Sequence, residues 1–223
     1  MEIVEYMDSR YPCLLKKIYD PPQRLYCYGD VNLLRMDKVS VVGTRSMTDY
    51  GKWTIDTFFT SQFAKLNIAV VSGMARGVDR YAHEICLKRG IKTIAVIPVG
   101  VCENNLEIRD PLVEEISQKG LILSEYPNST KIQKYMFVLR NRIVAGLSKN
   151  CIIIEAGIKS GSLITAQYAL ENNRNIYAVP GNINNLLSAG CNELIKQGAT
   201  PLNNINEFYE IFGLQKTQFV AFT

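Results

Sequence analysis

Residues 38–51 read K-V-S-V-V-G-T-R-S-M-T-D-Y-G, and residues 68–79 read I-A-V-V-S-G-M-A-R-G-V-D. Each opens on a short, nearly all-apolar β-branched run, breaks at a glycine with a hydroxyl residue beside it, passes an arginine, and then enters a helical pattern. Runs without polar alternation suit parallel strands covered on both faces. Working outward, the same rhythm predicts strands over 39–42, 69–72, 93–99, 121–124, 151–155 and 176–179. Helical patterns fall between them at 51–65, 78–88, 111–118, 141–147 and 163–171, with two more near 192–197 and 206–212. Strand and helix in alternation imply an α/β fold, a doubly wound, mostly parallel sheet with right-handed crossovers. Residues 1–37 lack this rhythm. A helical stretch near 14–18, a break at Asp20-Pro21-Pro22 and the run L-Y-C-Y-G read as an N-terminal extension packed on the core. The expected division is therefore 1–37 and 38–223.

Composition narrows the class. The 223 residues hold 25 Lys+Arg and 21 Asp+Glu, a net +4, with 47% hydrophobic and 21% charged residues, which excludes disordered and fibrous architectures. No apolar run reaches the roughly 18–20 residues of a membrane span. The opening M-E-I-V-E-Y-M-D has acids where a secretory signal has bases, so a cytoplasmic protein is expected. Cys13, Cys27, Cys86, Cys102, Cys151 and Cys191 stand singly, which suits reduced thiols rather than a disulfide framework. His83 is the only histidine, so a histidine-based zinc site cannot be built, and neither metal nor cofactor is expected.

Charge is distributed unevenly. Between Glu125 and Glu155 no acid occurs, while Lys131, Lys134, Arg140, Arg142 and Lys149 add +5, leaving 4 − 5 = −1 for the rest. A local excess of this kind is the footprint of a polyanion-binding stripe, or else of a solvated approach to a helix.

In an open parallel sheet, ligands bind beyond the carboxyl ends of the strands. The loops there carry Gly43, Thr44 and Arg45; Ser72, Gly73, Arg76 and Gly77; and Lys159, Ser160, Gly161 and Ser162. Glycines permit unusual turns, and loop and helix N-terminal N–H groups favour anions. Three cations brought to one rim oppose folding unless an anion binds. Neither G-x-G-x-x-G nor a Walker A loop is present. Simpler readings stand beside these: Arg142 as an ion pair with Glu155 or Glu125, Asn141 as a helix cap, and Asp79 as an early-turn acid complementing a helix dipole. His83, Trp53 and Phe58–Phe59 read as core.

Together these elements resemble the DNA-processing protein A (DprA/Smf) family, from about Tyr11 to about Ala199. The resemblance is carried by YPCLLKKIYDPPQRLYCYGD, VVGTRSMTDYG, VVSGMARGVDRYAH, GIKTIAVIPVG, GLILSEYP, FVLRNRIVAGLS, IIIEAGIKSGSLITAQYA, RNIYAVPGNI and SAGCNELIKQGA. It implies a Rossmann-like domain without enzymatic activity that binds single-stranded DNA, protects incoming DNA in natural transformation and loads the RecA recombinase. It also implies a homodimer formed through NELIKQGA. Carried over residue by residue, the anion-binding pocket falls on the three loops named above, and the basic R-N-R element on Arg140, Asn141 and Arg142. Tyr135 and Phe137 are candidates to stack bases. The loop VGVCENNLEIRDP, with Glu103, Glu107 and Asp110, departs from the family pattern, and the chain resembles a core-only member. Two other readings compete: an enzyme similar to the LOG-type phosphoribohydrolases, which resemble this fold and need a carboxylate near an oxocarbenium-like centre, and a regulatory module that binds a mononucleotide.

Overall fold

The computed structural model describes residues 1–100 and 110–214. Nine strands form one sheet: β1 (Glu2–Glu5), β2 (Arg24–Gly29), β3 (Asp37–Val42), β4 (Ile68–Ser72), β5 (Thr93–Ile97), β6 (Leu121–Ser124), β7 (Asn150–Ile153), β8 (Asn175–Ala178) and β9 (Thr200–Pro201). The helices are α1 (Asp49–Phe58), α2 (Val78–Lys88), α3 (Pro111–Lys119), α4 (Lys134–Gly146), α5 (Gly161–Glu171), α6 (Ala189–Lys196) and α7 (Ile205–Glu210). Their spatial order is β1-β2-β6-β5-β4-β3-β7-β8-β9. From β6 to β9 every pairing is parallel, and β2 joins β6 antiparallel. The chain moves outward from β3 through β6, then returns to lay β7 on the other flank of β3. That reversal is the topological switch point.

Both faces are covered, as the unbroken apolar runs require. Val39 and Val41 of β3 and Val70 of β4 pack with Ile55, Phe59 and Ala82 of the α1–α2 side. Val42, Val71, Ile94 and Val96 pack with Ile143, Val144 and Ala166 of the α4–α5 side. Ser40, a polar residue fully buried in β3, satisfies its hydroxyl on the Val144 carbonyl and the Ser148 hydroxyl, both at 2.6 Å.

Four expectations change. Residues 1–37 do not lie on the sheet as a separate layer: β1 and β2 extend it, and Val4, Leu15 and Leu25 join the α4–α5 core. The helix expected over 51–65 stops at Phe58, because Thr60 turns its hydroxyl to the Gln62 N–H at 3.2 Å, and a 3-10 turn Phe63–Leu66 follows. The short turn expected near 141–147 is the full helix Lys134–Gly146. Trp53, expected in the core, is 61% exposed. Cys102, Glu103 and Glu107 lie outside the described residues.

His83 is packed as expected. It is fully buried on α2, with Nδ1 2.7 Å from the Thr93 hydroxyl and Nε2 unpartnered. Burial lowers its pKa from 6.5 to about 3, helped by the positive Arg140 and Arg80. A base buried neutral gives its full stability above the unfolded value and loses it as pH falls toward the folded one. Relative to wild type, the deficit of His83→Gln should therefore shrink by roughly 1 kcal/mol per pH unit between about pH 6 and 4. Urea midpoints of both proteins across that range measure it; a constant difference would show that His83 titrates normally.

Candidate functional site

The turns after β3 and β7 face each other at the switch point and enclose a cleft of about 450 Å³. Its walls include Gly43, Thr44, Arg45, Phe137, Arg140, Asn141, Lys159, Ser160, Gly161 and Ser162. A second cleft, of about 270 Å³, adjoins it through Arg45, Phe137 and Arg140 and adds Gly73 and Arg76. The sequence-predicted loops thus converge.

Backbone bonds lock them together. Thr44 donates its N–H to the Glu155 carbonyl at 2.7 Å and accepts the Val78 N–H at 3.1 Å, tying the post-β3 turn to both neighbours. Glu155, itself buried, accepts the Thr48 N–H at 2.9 Å and the Thr48 hydroxyl at 2.5 Å, which fixes the N-cap of α1. Gly77 holds φ +80°, and a Cβ there would collide with the Thr44 carbonyl oxygen, so only glycine allows this approach.

Asp79 sits at the floor. Its carboxylate accepts the Gly73 N–H at 3.1 Å and the Gly43 N–H at 3.3 Å. Burial pushes its pKa up to about 6, against the opposing pull of Arg140 and of the Gly43, Ala75 and Gly73 N–H groups. Arg140 is equally buried and donates to the carbonyls of Gly73 and Val96. Gly73 is squeezed between the two charges: a Cβ there would lie 2.8 Å from both the Asp79 carboxylate and the Arg140 guanidinium carbon. The early-turn position of Asp79 signalled a helix-dipole role; its use as a clamp on two strand ends depends on tertiary contacts that sequence spacing does not carry.

The rim is different. Arg45, Arg76 and Lys159 are exposed, and none has a carboxylate partner among the described residues. Ser160 caps α5, its hydroxyl 3.4 Å from the Ser162 N–H and 2.7 Å from the Ser162 hydroxyl, so the positive end of that helix opens onto the cleft. Phe137, half-buried on α4, lines both clefts.

Several predicted residues do not enter. Arg142 is buried and pairs with Glu125 and, at 3.0 Å, with Asp20. The ion-pair reading with Glu125 therefore replaces phosphate contact at Arg142. The local +5 is not a stripe: Arg140 and Arg142 turn inward, and Lys149 lies beside the amino end of β7, away from the clefts. Asn141 does not cap a helix; it lies inside α4 and reaches the cleft wall. Ser72 is fully buried, its hydroxyl 2.6 Å from the Val41 carbonyl, and Gly77 shapes the turn. Tyr135 is exposed on α4 and lines neither cleft. Among the described residues, no cluster of three His, Cys, Asp or Glu side chains is placed to hold a metal, and no helix is long and apolar enough to cross a membrane.

The family model for DNA recombination-mediator protein A matches residues 2–213. The chain belongs to that family. It is 38% identical to the DNA processing protein DprA of Bacillus subtilis over 91% of this chain and 68% of the relative. It is 40% identical to the Streptococcus pneumoniae DprA over 86% and 68%. The S. pneumoniae crystal structure superposes with a TM-score of 0.86 at 36% identity, covering 94% of this chain and 73% of that one. DNA processing protein A of Helicobacter pylori, described for its single-stranded DNA binding mode, gives 0.81 at 35% identity and 94% of both chains. A molybdenum cofactor binding protein from Rippkaea orientalis, at 15% identity and 0.55, shares the fold alone. The family's α/β architecture is thus the one built here around the switch point.

Because Asp79 neutralises Arg140 and holds two strand ends, Asp79→Asn should cost about 3 kcal/mol of folding stability. Urea unfolding checks this, and a change below about 0.5 kcal/mol would mean that the clamp contributes little.

Proposed function

We propose that the chain binds single-stranded DNA along the paired clefts and acts in homologous recombination and natural transformation by protecting incoming DNA and delivering it to a RecA recombinase. The observation that carries the DNA reading is the rim of Arg45, Arg76 and Lys159, exposed and without carboxylate partners among the described residues, at the end of α5 where anions are favoured. The single-stranded DNA binding mode described for the H. pylori relative supports it. The recombinase step rests on the family resemblance.

Phosphates would lie over the rim cations and the start of α5. The floor does not compete, because the Gly43, Gly73 and Thr44 N–H groups already serve Asp79 and Glu155. Phe137 offers a ring at the junction of the two clefts for a base turned inward. A cleft of this kind reads charge and shape more than base sequence.

Binding without turnover is the reading we favour over a phosphoribohydrolase. No acid occurs from Gly157 until Glu171, and the buried carboxylates Asp79 and Glu155 are committed to backbone and hydroxyl donors. A homodimer through the stretch NELIKQGA, the end of α6 and the turn after it, is supported by the apolar Leu170, Leu194 and Ile176 around a surface hollow of about 350 Å³. Cytoplasmic residence is supported by four buried free thiols, Cys27, Cys86, Cys151 and Cys191, each raised above its ordinary range by burial.

Fluorescence anisotropy across a salt series should show a single strand of roughly ten nucleotides binding more tightly than a duplex of equal length and than a mononucleotide. Arg45→Ala and Lys159→Ala should each weaken binding roughly tenfold and reduce the salt slope by about 0.7. Affinities within about twofold of wild type would remove the phosphate assignment. Nucleoside monophosphates should release no free base on incubation. Sizing at micromolar concentration should give twice the chain mass; a single-chain mass would remove the dimer.

A further inference from the structure

We propose that Tyr50 and Trp53 form a second nucleobase platform, onto which a strand seated in the switch-point cleft continues, with Asn182 and Asn184 meeting the base edges. The proposal rests on the single-strand reading above and names a part of the path that the three cationic loops do not supply.

The two rings stand one turn apart on α1, nearly parallel at 18° with centroids 6.1 Å apart. Tyr50 is 40% exposed and Trp53 61%, so the pair presents a broad aromatic surface to water. The Tyr50 hydroxyl donates to the Pro180 carbonyl at 2.8 Å, which holds the first ring against the segment after β8. A fixed exposed platform is suited to stacking, because little side-chain freedom is lost when a flat partner arrives.

That segment shapes a hollow of about 590 Å³ lined by Tyr50, Pro180, Gly181, Asn182, Asn184 and Asn185. Among the described residues, no charged side chain lines it. The Asn182 and Asn184 amides are exposed and make no hydrogen bond among the described residues. Asp49, the acid adjoining Tyr50, is paired with Lys52 at 3.2 Å. Aromatic faces with neutral amides fit a flat, uncharged group with donor and acceptor edges, and the ammonium nearest in sequence, that of Lys52, is paired with Asp49.

Continuity chooses the occupant. Leu187 lines the cationic cleft while Asn185 and Ser188 line the hollow, so one short segment borders both. From the other side, the turn carrying Arg45 runs directly into Thr48, the cap of α1, and then Tyr50. A strand with its phosphates on Arg45 and Lys159 therefore meets the platform as it leaves.

Trp53 is the chain's only tryptophan, so its emission reports this site alone. Oligo-dT of roughly 4, 8 and 16 nucleotides, a span covering common single-strand footprints, is titrated with anisotropy and tryptophan emission read together. The shortest strand should bind without changing emission, and the longest should quench it. Trp53→Ala should weaken the longest strand at least fivefold, about 1 kcal/mol, and leave the shortest within about twofold, while Trp53→Phe restores most of the loss. Saturated binding with unchanged emission at every length, or equal affinities for Trp53→Ala and wild type, overturns the platform and leaves the cationic cleft standing. Absence of binding at any length removes both. An emission change that follows protein concentration without DNA assigns the surface to a second copy of the chain and overturns the proposal.

Discussion

A buried carboxylate facing a buried guanidinium holds the switch point together. Asp79 grips the N–H groups at the ends of β3 and β4, and Arg140 grips the carbonyls at Gly73 and Val96. Neither charge is tolerable alone in so dry a place, and backbone N–H and carbonyl groups meet the polar atoms of each. With Thr44 bonded to the turns on both sides, the floor beneath the rim is a rigid knot of backbone. The rim cations can then stay unpaired, because their mutual repulsion works against a frame that does not yield.

The division between floor and rim also separates residues of similar appearance. Arg45 and Arg142 are both arginines in motifs that read as basic. One stands in water over a cleft; the other joins α4 to Glu125 and to Asp20 of the N-terminal segment. Local charge counting weighs them equally, and the difference lies in whether an acid from a distant stretch arrives beside them.

The sheet was legible because its strands are buried on both faces and so read as unbroken β-branched runs, with residues 121–124 matching to the residue. The loops after β3, β4 and β7 were legible too, since their glycines and hydroxyls sit where a strand must turn into a helix. Helix α4 was half hidden: Gln133 gives no side-chain cap, and two inward arginines erase the apolar stripe that marks a helix. Trp53 was misjudged because an indole is ordinarily interior, and nothing local tells that α1 turns this one outward. The membership of β1 and β2 in the sheet escaped because their partners, β2 and β6, come from antiparallel pairing outside the strand–helix rhythm.

The outermost strand β1 carries Glu2 and Glu5, held by Arg10 at 2.7 Å and Arg24 at 3.2 Å. Carboxylates spaced along an open edge deter a stray chain from adding itself as a tenth strand. The opposite edge, β9, has only two residues. Guarded on one margin and stubby on the other, the sheet of the described residues gives an added strand little to pair with, so association by edge-to-edge strand addition is disfavoured.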